Sequence, residues 1–306
     1  MKKLFLSLFM LGTMLGATAQ VKNVIDIDMW PDGLPNSNGI DKTQPYDAEK
    51  RNFKPSIRVY FPEDSVKKDV AVLVIPGGGY RVLSLGAEGY DWANEFAPQG
   101  ITTIVLSYRM PMGHKEVPMS DATEAIRIIR EKATEWGIDP QKVGVLGSSA
   151  GGHLASTIAT HNPEETRPNF QILFYPVISM DKDYTHMDSH NCFVGEDATR
   201  EMEDLYSNHL QVNAQTPPAI LLLSDDDFLV PPRNSAEYYL ALKKAGVRAN
   251  MHVYPSGGHG WGCGKHFKYH TQMMQDLQIW LDALWQKPGA GGWPGGGQFP
   301  PRRRPQ

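Results

Sequence analysis

Gly147-Ser148-Ser149-Ala150-Gly151 follows the apolar run 143–146 and precedes a helix-like stretch, 152–159. A serine hydroxyl attacks a carbonyl at neutral pH only when its Oγ is exposed, a base stands within reach and hydrogen-bond donors face the developing oxyanion. A strand, a tight turn with small flanking residues and a helix meet the first need. Gly147 and Gly151 flank Ser149, which makes Ser149 the candidate nucleophile. The N–H of Ala150, at the start of the following helix, is a candidate oxyanion donor. Glycine and serine also cluster in ordinary turns, so the motif needs partners elsewhere in the chain.

Three other segments carry the residue types of such partners. The stretch 70–75 reads as a buried strand and runs into Pro76-Gly77-Gly78-Gly79-Tyr80. Glycines allow φ > 0 and a close approach of backbone to substrate, so the amides of Gly78 and Gly79 are candidate oxyanion donors. Another buried strand, 219–224, is followed by Asp225-Asp226-Asp227-Phe228-Leu229-Val230. A carboxylate there could orient a base histidine and stabilise its imidazolium; Asp227 and Asp226 are both candidates. The trio lacks the alternating oxygen ligands of a calcium loop. His259, in Gly257-Gly258-His259-Gly260-Trp261 after the strand 249–254, is the candidate base. Tyr80 and Trp261 are placed to line the pocket between these loops and are the candidate substrate-binding residues, with core packing as the alternative for each. Asp121 and Arg109 are read as structural polar contacts, and His153, one turn beyond Ser149, as a supporting rather than a reacting group.

The elements that must position these residues alternate between apolar strands and amphipathic helices, which calls for an α/β fold with a mostly parallel sheet covered on both faces. Further strands are expected at 101–107 and 170–175. Asp121 and Glu124 have capping-box spacing, so a helix is expected from Asp121, carrying Ala122, Ala125, Ile126, Ile129 and Trp136 to a stop at Gly137. Two more helices are expected at 235–246 and 273–285. Residues 21–54 read as turn-rich, and 181–213, without a clear period, as a cap over the site.

At the N-terminus a basic start, a short apolar core and Ala17-Thr18-Ala19 form a secretory signal peptide over 1–19, so an exported or periplasmic catalytic domain over 20–287 is expected. No other stretch has the ~20 apolar residues of a membrane span. The Pro/Gly/Arg-rich tail, 288–306, cannot bury enough apolar surface to order itself. A net charge of −4 gives no reason to expect nucleic acid. Cys192 and Cys263 could pair in an exported chain or stay as thiols. His266 and His270 lack the glutamate of a zinc helix, so neither a metal nor a cofactor is expected.

The segments IPGGGY (75–80), the stretch 107–130, GIDPQKVGVLGSSAGGHLAS (137–156), the stretch 225–247 and YPSGGHGWG (254–262) together resemble secreted bacterial α/β-hydrolases of the carbohydrate-esterase kind, close to acetyl xylan esterases and hormone-sensitive-lipase-like relatives. The chain order Ser, Asp, His matches that fold, and Pro76 stands where the usual glycine loop has histidine. The resemblance favours Asp227, three positions before Val230, as the acid. It implies a Ser149–His259–Asp227 esterase acting on acetylated plant cell-wall polysaccharide or oligosaccharide. A feruloyl or other short-acyl esterase, an exopeptidase and a non-catalytic carbohydrate-binding protein are the alternatives.

Overall fold

The computed structural model describes residues 21–45 and 54–285. The expected signal peptide and tail lie outside the described residues. In chain order the elements are β1 (Val21–Asp28), α1 (Ile40–Thr43), β2 (Ser56–Pro62), β3 (Ala71–Ile75), α2 (Trp92–Phe96), β4 (Thr102–Ser107), α3 (Glu116–Glu131), α4 (Ala133–Trp136), β5 (Val143–Ser148), α5 (Ala150–His161), β6 (Gln171–Phe174), α6 (Met187–Phe193), α7 (Arg200–Leu205), β7 (Ala219–Ser224), α8 (Arg233–Lys244), β8 (Ala249–Tyr254) and α9 (His270–Leu284). The strands form one sheet in the order β1-β2-β4-β3-β5-β6-β7-β8. From β4 to β8 every neighbour is parallel, while β2 runs antiparallel to both β1 and β4.

The continuous apolar runs follow from burial on both faces. Alternation in β3 sends Leu73 and Ile75 to a layer with Ile126 and Ile129 of α3, Leu154 and Ile158 of α5 and Leu242 of α8. Val72 and Val74 face the other layer, with Trp92 and Phe96 of α2 and Met273, Leu277 and Trp280 of α9. Each such side chain contributes roughly 1.5–3 kcal/mol by leaving water. The parallel order also brings the C-terminal ends of β3, β5, β6, β7 and β8 to one rim, where open α/β sheets bind ligands.

Two expectations need correction. The helix expected from Asp121 begins at Glu116 instead. Pro118 falls in its first turn, where a missing N–H removes no helical hydrogen bond, and Asp121 is held sideways by Arg109 rather than capping the helix. That helix ends at Glu131; Trp136 belongs to the separate turn α4, closed by Gly137 at φ +63°. The turn-rich N-terminal reading missed β1, whose residues are mostly exposed on the sheet edge, so only Ile25 and Ile27 signal an inner face. The segment 181–213 folds into α6, α7 and a 3₁₀ turn at Asn208–Leu210. Both cysteines are free thiols, and burial pushes that of Cys263 up to about 12.

Candidate active site

Ser149 sits between β5 and α5 with φ +53° and ψ −121°, a conformation that costs a non-glycine residue roughly 1–3 kcal/mol and survives only where the surroundings enforce it. The enforcing contacts are backbone. The Ser149 N–H donates to the Phe174 carbonyl (3.0 Å), and its own carbonyl accepts the N–H groups of His153 (3.1 Å) and Val177 (3.0 Å). Gly151 must lack a side chain, because a Cβ would lie 2.1 Å from the Ile75 carbonyl oxygen. The turn therefore presses directly on the end of β3, where the glycine loop begins.

The loops after β7 and β8 bring the other two groups to this serine. His259 Nε2 is 2.8 Å from Ser149 Oγ, and His259 Nδ1 is 2.7 Å from Asp227 Oδ2. A carboxylate can only accept, so Nδ1 carries the proton and Nε2 is left to accept the serine O–H. Asp227 Oδ1 accepts the N–H groups of Leu229 (3.0 Å) and Val230 (2.9 Å), which fixes the carboxylate plane. Asp226 faces elsewhere and accepts the Gly258 N–H at 2.8 Å. Of the two acidic candidates, Asp227 meets the imidazole and Asp226 braces its loop.

The group opens onto a cavity of about 370 Å³ lined by Gly78, Gly79, Ser149 and His259, with Arg81, Glu88, His186 and Asp188 among its other walls. Gly78 takes φ +124°, and a Cβ there would lie 2.2 Å from the Val82 carbonyl oxygen, so glycine is required. Among the described residues no protein acceptor takes the amides of Gly78, Gly79 or Ala150. Donors left unpaired beside a nucleophile are the makings of an oxyanion hole.

Tyr80 and Trp261 do not line this cavity. Tyr80 is 1 % exposed; its hydroxyl meets His153 Nδ1 at 3.0 Å and its ring stacks on Phe193. His153 Nε2–H donates to the Tyr206 carbonyl (2.9 Å), so Nδ1 accepts from Tyr80, and burial holds this imidazole neutral with its pKa down at about 4. Trp261 is 2 % exposed, stacks on Phe267 and donates from Nε1 to Ser224 Oγ at 3.0 Å. Both aromatics anchor the loops from below, since a large ring at a loop base buries more area in the core than at an open rim.

Sequence reasoning passed over other residues that the fold brings to the site. Glu88 lies in a π-helical turn, Gly86–Tyr90, and is 5 % exposed. Its carboxylate accepts from the Gly77 N–H (3.2 Å) and the Tyr175 hydroxyl (2.8 Å). Burial pushes its carboxyl up, against the pull of Tyr175, the charge of His259 and the Gly77 amide. His186 and Asp188 come from the cap, with a Cβ on Gly79 falling 3.5 Å from His186 Cε1. Asp188 pairs with Arg81 at 2.8 Å. Nothing in the sequence sets Glu88 or the cap residues apart. Arg109 and Asp121, read as structural, form a buried pair away from the cavity lining. Among the described residues no cluster of His, Cys, Asp or Glu is arranged to hold a metal ion, and no helix is long and apolar enough to cross a membrane.

The parallel sheet, the strained turn between β5 and α5, and loops ending in Asp and His define the α/β-hydrolase class. A family model described as alpha/beta hydrolase fold matches residues 72–262, and the chain belongs to that family. Within it, the chain is 43 % identical over 238 residues to an acetylxylan esterase of Xylanibacter ruminicola, a match covering 76 % of this chain and 48 % of that protein. It is 36 % identical over 225 residues to an endo-1,4-beta-xylanase B of Butyrivibrio fibrisolvens, covering 68 % of this chain and 35 % of the relative. The chain thus spans about half the length, or less, of these curated relatives. Among solved structures, an acetyl ester-xyloside bifunctional hydrolase from Caldicellulosiruptor lactoaceticus superposes with a TM-score of 0.73 at 32 % identity, over 88 % of this chain and 98 % of the other.

Proposed function

We propose that this protein is an exported serine esterase that removes acetyl groups from plant cell-wall polysaccharide or its oligosaccharides. The observation that carries the reading is the continuous relay from Asp227 through His259 to Ser149, ending beside unpaired amides in an open cavity. Similarity to an acetylxylan esterase and to an acetyl ester-xyloside hydrolase supports the acetylated-carbohydrate substrate. The export step rests on the N-terminal sequence alone.

The chemistry is two-step acyl transfer. Ser149 Oγ attacks the ester carbonyl while its proton passes to His259 Nε2. Asp227 holds the Nδ1–H tautomer and stabilises the imidazolium, and the amides of Gly78, Gly79 and Ala150 receive the negative oxygen. The C–O bond to the sugar then breaks, and His259 Nε2–H protonates the departing sugar oxygen, which leaves as a hydroxyl. Water repeats the sequence on the acyl-enzyme, releasing acetate and restoring Ser149. At about 370 Å³ the cavity lies near the small end of ligand pockets, which suits a short acyl group on one sugar unit.

The test is acetate release from acetylated xylo-oligosaccharides, run beside an aryl acetate and an aryl ferulate. Ser149→Ala should lower kcat on the accepted ester by ~10⁴- to 10⁶-fold. A variant retaining more than about a tenth of the activity would remove Ser149 from the reaction. Turnover of the aryl acetate without the oligosaccharide would keep the esterase and discard the polymer.

A further inference from the structure

We propose that Glu88 is a positioning residue whose buried carboxylate ties the glycine loop and the histidine loop into one unit. The inference deepens the serine-hydrolase reading above and rests on it. Glu88 Oε2 takes the Gly77 N–H, one residue before the unpaired amides of Gly78 and Gly79. Glu88 Oε1 takes the Tyr175 hydroxyl, and that hydroxyl accepts the Gly262 N–H at 2.6 Å. The next residue, Cys263, donates its N–H to the Ala87 carbonyl at 2.9 Å. The Tyr175 ring lies 4.5 Å from the His259 ring, centroid to centroid. Glu88 thus holds the glycine loop directly and the histidine loop through the Tyr175 hydroxyl, with the neighbouring Ala87 carbonyl as a second tie.

The packing leaves little play. A Cβ on Gly77 would fall 2.6 Å from Glu88 Oε2, and one on Gly262 would fall 2.2 Å from the Ala87 carbonyl oxygen. A buried carboxylate held by two donors is costly compared with an apolar side chain of similar volume, so stability alone is a poor reason for it. The Glu88 carboxylate and the charge of His259 act on each other, and a negative charge there favours the imidazolium that forms during acyl transfer. The other groups around His259 are Asp227, Tyr175, the cap residues His186 and Asp188, and Arg81 of the glycine loop.

The experiment follows the rate at which a fluorophosphonate labels Ser149 across pH 5–8, in wild type, Glu88→Gln, Tyr175→Phe and the double variant. Ser149 Oγ bonds to phosphorus, fluoride leaves, and the serine proton passes to His259, so the rate reads both loops without needing the sugar. Glu88→Gln is expected to slow labelling by about 10- to 100-fold. It should also move the acidic limb of the labelling profile to lower pH, because a negative charge beside the imidazolium is lost. Tyr175→Phe should slow labelling and move the midpoint of that limb less than Glu88→Gln does, and the double variant should be little slower than the slower single one. The Tyr175→Phe arm decides the matter if Glu88→Gln does not fold. Wild-type rates and midpoint in Glu88→Gln, or a wild-type rate in Tyr175→Phe, would overturn the proposal. Wild-type labelling without acetate release leaves it standing while the polysaccharide reading falls. Equal labelling of wild type and Ser149→Ala removes both.

Discussion

Two buried polar clusters lie on this sheet, and the difference between them separates structure from chemistry. In the first, Asp121 accepts the backbone N–H and Nε of Arg109 (2.9 Å each), its Nη2 (2.7 Å) and the Trp30 indole N–H (2.8 Å). The guanidinium also donates to Asn36 and Ser120. The pair is at most 1 % exposed, and each guanidinium nitrogen has an acceptor. In the second, the chain from Asp227 to His259 ends on a serine in a strained turn, beside three amides with no protein acceptor among the described residues. A closed network fixes a fold; an open one keeps hydrogen-bonding capacity for a ligand.

The largest effect expected from breaking this contrast is at Asp227. Asp227→Asn should lower kcat ~10⁴-fold while the folded structure persists, since the amide can leave the imidazole in the wrong tautomer. Asp226→Ala, which removes only the acceptor of the Gly258 N–H, should cost less than about tenfold. Steady-state kinetics on an aryl acetate distinguish the two, and the reverse ranking would move the acid to Asp226.

At the closed cluster the consequence shifts from rate to stability. Asp121→Asn leaves the Arg109 guanidinium buried without its counter-charge, which typically costs about 3–5 kcal/mol. Urea unfolding should report that loss, while kcat per folded molecule stays close to wild type. A stable but inactive variant would show that the cluster reaches the reaction centre.

How much of this was legible in the chain follows the same division. Strand 219–224 begins and ends where the sequence puts it, because a fully buried run leaves no competing pattern, and 249–254 does so although it is a partly exposed edge strand. The three groups of the relay were readable because each is punctuated by glycine or by a strand end. What escaped notice depends on tertiary contact. Glu88 looks like any surface glutamate until the π-helical turn folds it under Gly77. Tyr80 and Trp261, next to the reacting loops in sequence, turn inward, since adjacency along the chain says nothing about direction at a positive-φ residue such as Tyr80 (φ +59°).

His153 occupies the boundary between the two kinds of cluster. Its folded pKa of about 4 lies below the ordinary 6.5, so the unfolded chain binds a proton that the folded one refuses. Its contribution is therefore fully present above about pH 6.5 and is lost as pH falls toward 4, by something on the order of 3 kcal/mol. Stability measured by urea unfolding at pH 7, 6 and 5 should fall accordingly. His153→Gln should flatten that slope, and an unchanged slope would assign the acid sensitivity to other groups.

The smallest effect belongs at the rim, where Arg81 of the glycine loop meets Asp188 of the cap with both side chains more than half exposed, at 60 % and 54 %. A solvated pair of this kind is worth about 0–1 kcal/mol, so Arg81→Ala should barely move the unfolding midpoint. Its place in the cavity wall gives it a different leverage: a substrate reaching past the acetyl group meets this pair, whereas an aryl acetate need not. The expected outcome is a KM for acetylated xylo-oligosaccharide raised by roughly threefold to tenfold, with kcat and the aryl acetate parameters unchanged, as for loss of uniform binding. Equal losses on both substrates would mean that the cap positions the glycine loop itself, which would join the rim to the open cluster and narrow the division between scaffold and site.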